Sequence, residues 1–197
     1  MTLYDLKPRF QALLRPMVGW LAAQGVTANQ VTVAAAAGSV LVGLAVGLGS
    51  GNRHVFLLIP VWMLLRMTLN AVDGMLAREH GQQSRLGAYL NELGDVVSDA
   101  ALYAPFALLP AFGPAGVGLV VVLALVAEYA GVLGSPRRYD GPLGKSDRAL
   151  AFGALGAWAG FRLPMPPGLF GWAMPLLALL LAATVVNRVR AGLRATR

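Results

Sequence analysis

Apolar runs of bilayer-crossing length constrain this chain more than any other feature. A helix needs roughly 20 residues to cross the hydrocarbon core. Long runs recur near Val31 to Gly49, His54 to Ala77, Leu86 to Phe112, Gly116 to Gly134 and Gly168 to Val186. A shorter run, Ala149 to Arg162, is rich in the small Gly and Ala residues that favour close helix packing in membranes. A composition of 57% hydrophobic and 13% charged residues is not that of a soluble domain. The expectation is an all-α integral membrane protein of about six transmembrane helices, with an N-terminal interfacial amphipathic helix before them.

The charges then orient the bundle. A formal charge of +7 raises nucleic acid as a partner, but the basic residues are spread over loop ends and no soluble module remains to carry such a surface. In a six-span layout Lys7, Arg9, Arg15, Arg78, Arg85, Arg137, Arg138, Lys145, Arg148, Arg188, Arg190, Arg194 and Arg197 share one side, whereas the opposite loops hold Arg53 and Arg162. The positive-inside rule makes both termini and the turn at Gly81 cytoplasmic. Cysteine is absent, which excludes disulfides and thiolate metal sites. The first strongly apolar run begins late and lacks a convincing cleavage site, so no cleaved signal peptide is expected.

Residues 1–23 place Phe10, Leu13, Leu14, Met17, Trp20 and Leu21 at helical spacing. Two readings stand: a helix lying at the lipid interface, bent near Pro16, or an amphipathic helix packed on the bundle. Thr27 is placed to cap the first span. Residues 24–187 read as the six-helix bundle and 188–197 as a basic tail at the membrane surface, together a single domain.

The chemistry concentrates between Asn70 and Asp99. This stretch holds Asp73, Glu79, Glu92, Asp95 and Asp99, five of the nine acidic residues of the chain. As helix, Asn70, Asp73, Gly74 and Ala77 fall on one face at offsets of three, four and seven, while Asn91, Asp95 and Asp99 recur every fourth residue on another. Gly81 marks the turn between the two. Carboxylates and carboxamides on facing helices offer oxygen ligands to a hard divalent cation, Mg2+ or Mn2+. Acids at membrane depth are costly unless they are functional, paired or metal-bound, so a structural polar network is the competing reading.

Three outlying features bear on this stretch. Arg66, four residues before Asn70 in an apolar run, needs a partner, either Glu92 or Asp99, unless it touches substrate. Glu128 either borders the cavity or belongs to helix packing. Arg137, Arg138, Lys145 and Arg148, in and just after a loop with Pro and two glycines, suit phosphate oxygens, with topology-setting charge as the alternative.

The segment from Asn70 resembles the signature of the CDP-alcohol phosphatidyltransferase family, D-x2-D-G-x2-A-R-x8-G-x3-D-x3-D. Asp73, Gly74, Ala77, Arg78, Gly87 and Asp95 match at its spacing, and Gly25 to Thr32 looks like the family's entry into its first span. The first and third aspartates of the pattern fall on Asn70 and Asn91. The resemblance implies two divalent ions, with Asp73 a ligand and Asp95 both ligand and catalytic base. Asn70 and Asn91 would coordinate through neutral amide oxygens, and Asp99 stands one turn on to restore a charge. Gly74, Ala77, Arg78 and Gly87 would line the substrate site, with Arg137, Arg138 and Lys145 as phosphate contacts.

The activity implied is transfer of a phosphatidyl group from a CDP-linked lipid, CDP-diacylglycerol being the expected one, to a small alcohol acceptor with release of CMP. The resemblance also implies a homodimer and a bacterial inner membrane, with the active site facing the cytoplasm. Two other classes are weighed against it. In a non-catalytic relative the two asparagines have abolished turnover and the protein binds lipid or a partner enzyme. An ion-coupled transporter would also carry intramembrane acids, but the gapped signature and the lack of an internal repeat oppose it.

Overall fold

The computed structural model describes residues 3–195, with side chains from Phe10 onward. The side chains of Lys7 and Arg9, and residue Arg197, lie outside the described residues. No strand occurs among the described residues. In chain order the helices are α1 (Leu3–Ala23), α2 (Ala28–Leu48), α3 (Leu58–Glu79), α4 (Arg85–Tyr103), α5 (Pro114–Val132), α6 (Lys145–Gly160), α7 (Pro167–Phe170) and α8 (Ala173–Ala195), with 3-10 turns at Arg53–Leu57 and Ala104–Leu108.

Among the described residues, four helical stretches are long and apolar enough to cross a bilayer: Ala28–Leu48, Arg53–Glu79, Pro114–Val132 and Pro167–Ala195. α4 and α6 are outside that class. α4 carries Arg85, Glu92, Asp95 and Asp99 within its 19 residues, and α6 is only 16 residues long. α4 is packed chiefly against α2, and α6 against α3 and the 3-10 turn before it. Small residues permit this closeness. A Cβ on Gly43 of α2 would stand 2.2 Å from the Ala101 carbonyl oxygen of α4, and one on Gly160 of α6 would stand 2.5 Å from Leu57 Cγ.

Element ends differ most from the sequence expectation at two places, each with a cause; in addition α6 starts at Lys145, four residues before Ala149, and the last long helix starts at Ala173, after the short α7. The third apolar run was expected to be helical to Phe112, but α4 stops at Tyr103 and gives way to the turn around buried Pro105, whose ring removes a helical N–H. The last helix, expected to end at Val186, runs on to Ala195. Arg188, expected in a surface tail, is instead 2% exposed and faces α5.

At Thr27 and Gly81 local chemistry sets the boundary as expected. Thr27 and Gln30 form a capping box that starts α2, at 3.2 Å (Gln30 N–H to Thr27 Oγ1) and 2.9 Å (Thr27 N–H to Gln30 Oε1). Gly81 takes φ +67° in the α3–α4 turn, a conformation that favours glycine. Next to it Gln82 accepts the Ala28 N–H at 2.7 Å, tying this turn to the start of α2.

α1 is packed on the bundle along one face and leaves an apolar face uncovered. Leu14 and Val18 are buried against Val72, Met75 and Leu76 of α3, and Arg15 donates twice to Glu79 at 3.0 and 3.1 Å. Leu13, Met17 and Trp20 remain exposed on the other side. The main core lies deeper, where Tyr103 stacks on Phe152 with ring centroids 3.8 Å apart and Phe106 meets both Phe56 and Phe152 edge-on.

Candidate active site

A cavity of about 440 Å3 opens between the N-terminal part of α2, the C-terminal part of α3 and the first turns of α4. Asn70, Asp73, Gly74, Ala77, Arg78, Gly87 and Asn91 all line it, so two stretches read separately on α3 and α4 meet across one space. The helical offsets explain this: three- and four-residue steps keep Asn70, Asp73, Gly74 and Ala77 on one stripe of α3. The glycines leave room for particular groups. A Cβ on Gly74 would stand 3.0 Å from both terminal nitrogens of Arg78, so glycine there lets the guanidinium fold back over its own helix. A Cβ on Gly87 would stand 2.8 Å from Asn29 Oδ1, so that glycine admits a carboxamide from α2.

Asp73 is 6% exposed and has no cation within ion-pair distance among the described residues. Its side-chain partner is Thr32, which donates to Oδ2 at 2.8 Å and also to the Ala28 carbonyl at 3.0 Å. A buried carboxylate without a compensating charge is costly, and such a group beside a polar cavity is poised for a cation.

The remaining acids are in the opposite condition. Asp95 accepts from Arg66 Nη2 at 3.1 Å through Oδ1 and from Lys145 through Oδ2. Asp99, one turn on, accepts from Arg66 Nη1 at 2.7 Å and from Arg148 Nη2 at 2.9 Å, one guanidinium on each oxygen. Glu128 on α5 accepts from Arg148 at 3.0 Å and Arg137 at 3.1 Å, and lies 3.4 Å from Arg188. Glu92 pairs with Arg137. Arg66 therefore finds Asp99 and Asp95, not Glu92, and Glu128 is the hub of a network joining α4, α5, α6, α8 and the loop after α5.

The sequence-nominated residues thus divide. Neither Asp95 nor Asp99 lines the large cavity, although Asp95 and Lys145 lie within Coulomb reach of Asp73. Arg137, Arg138 and Lys145 do not line it either, and each is bound to carboxylate: Arg137 to Glu92 and Glu128, Arg138 to Asp140 at 3.1 Å, and Lys145 to Asp95. Thr32, Asn29 and Gln82 border the cavity without having been singled out. Their signal was faint but present: polar side chains at three- to four-residue spacing at the very start of an apolar run, and a glutamine just past a turn glycine.

Among the described residues no three Asp, Glu, His or Cys side chains form a ready cation site. The oxygen donors on the cavity wall are mixed instead, a carboxylate at Asp73 and amide oxygens at Asn70 and Asn91, with the Asp95 carboxylate off the wall and paired to Arg66 and Lys145. All are hard ligands of the type that magnesium and manganese take, and uncompensated Asp73 gives the set its charge. The residues fit a divalent cation held by few protein ligands, the rest of the shell being left to substrate or water.

Comparison with known proteins points the same way. The family model of the CDP-alcohol phosphatidyltransferases matches residues 25–189. The chain is 46% identical over 200 residues to the inner membrane protein YnbA of Escherichia coli (strain K12), covering 98% of this chain and 97% of YnbA. It is 29% identical over 192 residues to the phosphatidylinositol phosphate synthase of Mycobacteroides abscessus, covering 92% and 85%. In fold it is similar to the Mycobacterium tuberculosis phosphatidylinositol phosphate synthase solved with CDP-DAG bound, with a TM-score of 0.71, 24% identity, and 89% and 90% of the two chains covered. That enzyme has also been solved in complex with manganese and citrate.

Proposed function

Because the chain belongs to the CDP-alcohol phosphatidyltransferase family, we propose that it moves a phosphatidyl group from CDP-diacylglycerol to an alcohol acceptor and releases CMP. The observation that carries this reading is the convergence of the signature positions of α3 and α4, Asn70 to Arg78 and Gly87 to Asn91, on one cavity beside a buried, uncompensated aspartate.

In this reading Asp73 and Asp95, with the amide oxygens of Asn70 and Asn91, would hold the Mg2+ or Mn2+, two ions being the number the family resemblance implies. When bound, the cation neutralises charge on the diphosphate and on the departing CMP. Asp99 is assigned to the ion network, one turn deeper than Asp95 and held by an arginine on each oxygen; Asp95 is paired on both oxygens as well, so it reaches the cation only by exchanging Arg66 or Lys145 for it. The nucleotide end of the donor enters beside Gly74 and Ala77, where side chains are small, and Arg78 meets the phosphates. Arg66 and Lys145 fix the Asp95 carboxylate, which takes the proton from the acceptor hydroxyl. The hydroxyl oxygen forms a bond to the lipid-side phosphorus, and the bond from that phosphorus to CMP breaks, its electron pair leaving with CMP.

The finer topology belongs to the same proposal. α4 and α6 complete six spans with the four long apolar stretches, α1 lies at the interface with Trp20 and Leu13 in lipid, and both termini, the Gly81 turn and the cavity mouth face the cytoplasm. The protein works in a bacterial inner membrane, as a single domain and as a homodimer.

The test is CMP release by purified protein in lipid with CDP-diacylglycerol, manganese and a panel of alcohols. Release that needs both metal and an acceptor, and is lost in Asp95→Asn, is the expected result. A preparation that binds CDP-diacylglycerol yet releases no CMP with any acceptor would point to a non-catalytic relative.

A further inference from the structure

Resting on that transferase reading, we propose that the acceptor is an alcohol without a phosphate group, and that Glu128 sets this preference by occupying the guanidinium groups that an acceptor phosphate would need. A phosphate monoester brings about two negative charges at neutral pH and is recognised by surplus cationic donors, arginine forks above all. Around the cavity the cations outside ion pairs, among the described residues, are Arg78 on its wall and the exposed Arg85 at the start of α4. Arg78 is the cation among its lining residues, alongside the acids Asp73 and Glu92, and it serves the donor's diphosphate in the reading above.

Five basic residues behind the cavity are already bound, whereas Arg85, exposed at the start of α4, is in no ion pair among the described residues. Arg66, Arg137, Lys145, Arg148 and Arg188 meet Asp95, Asp99, Glu92 and Glu128, five cations against four acids, so one positive charge is left over. Three of those arginines converge on Glu128, which is 7% exposed. The guanidinium donors still without a partner, Nε of Arg137, Nε and Nη1 of Arg148 and Nε of Arg188, are buried. A phosphate entering that cluster would compete with these carboxylates for the guanidinium groups. Glu128 therefore stands, in charge and in geometry, where an anionic substrate group would stand, and its fixed attachment to α5 makes it a permanent occupant.

Two measurements on the full-length protein test this. The first is metal-dependent CMP release from CDP-diacylglycerol with matched acceptor pairs, glycerol against glycerol 3-phosphate and inositol against inositol phosphate. The wild type is expected to favour the unphosphorylated member of the productive pair by at least tenfold in kcat/KM. Glu128→Gln should shrink that ratio tenfold or more, and Glu128→Asp, which keeps the charge, should restore it. A purely structural role would lower turnover on both members of the pair alike and leave the ratio unmoved, which would overturn the proposal, as would a wild type that prefers the phosphorylated acceptor.

The second measurement does not depend on turnover. Glycerol 3-phosphate is titrated by equilibrium dialysis against metal-free protein containing excess CMP. No saturable binding by the wild type, and its gain in Glu128→Gln or in the more exposed Glu92→Gln, is the expected result. Saturable binding by the wild type overturns the proposal. If CMP release fails with every acceptor, the transferase reading falls and this titration still decides the charge argument.

Discussion

Asp73 and Asp99 are two equally buried carboxylates in one helical bundle, and they have opposite surroundings. Asp73, on the cavity side, has a threonine hydroxyl and no cation partner among the described residues, whereas Asp99 has one arginine on each oxygen. The difference teaches how the chain separates chemistry from architecture. Charge that is fully paired holds helices together, and charge left unpaired beside a cavity is available to a ligand. Asp95 stands between the two, bound by Arg66 and Lys145 from the network yet within Coulomb reach of Asp73.

If that division is right, breaking the paired side should cost stability first. Asp99→Ala takes one of two carboxylate partners from each of the buried Arg66 and Arg148, leaving them Asp95 and Glu128, and is expected to cost about 3 kcal/mol, read as a large drop in thermal midpoint in detergent. Asp73→Asn should do the reverse, leaving the thermal midpoint within a few degrees of wild type while lowering metal-dependent CMP release by about a hundredfold or more. A fall in both quantities for both variants would erase the distinction.

Smaller effects sharpen it. Adding charge back at the cavity with Asn91→Asp should reduce the half-saturating manganese concentration by about tenfold, since ligand charge tunes cation affinity. Arg138→Ala, which removes only an exposed pair with Asp140, should change stability by no more than about 0.5 kcal/mol and leave the acceptor KM unchanged.

The membrane character, the helices and the cavity side of the site were legible because they rest on local periodicity. Apolar run lengths located the helices, Thr27 announced a cap, Gly81 announced a turn, and steps of three and four residues put Asn70, Asp73 and Ala77 on one stripe. The paired side was much less legible. Arg66 gave itself away as a buried cation, but its choice of Asp99 and Asp95 over Glu92 depends on how α3 and α4 cross. Arg188 looked like part of a surface tail because tail and helix share a basic composition, and only the packing of α8 on α5 turns it inward. Asp99 shared its spacing with Asp95, and helical spacing alone does not reveal that two arginines from other helices claim its oxygens. Pairings across 20 to 60 residues of sequence are set by tertiary packing, and these decided which acids are free.

The most direct test of the central claim is CMP release from CDP-diacylglycerol by wild type and Asp73→Asn, titrated with manganese in the presence of the best acceptor. Saturable, metal-dependent release by the wild type, and near-complete loss in a variant that still folds and still melts like the wild type, is the expected result. Equal release by the two proteins, or release that ignores manganese, would contradict it.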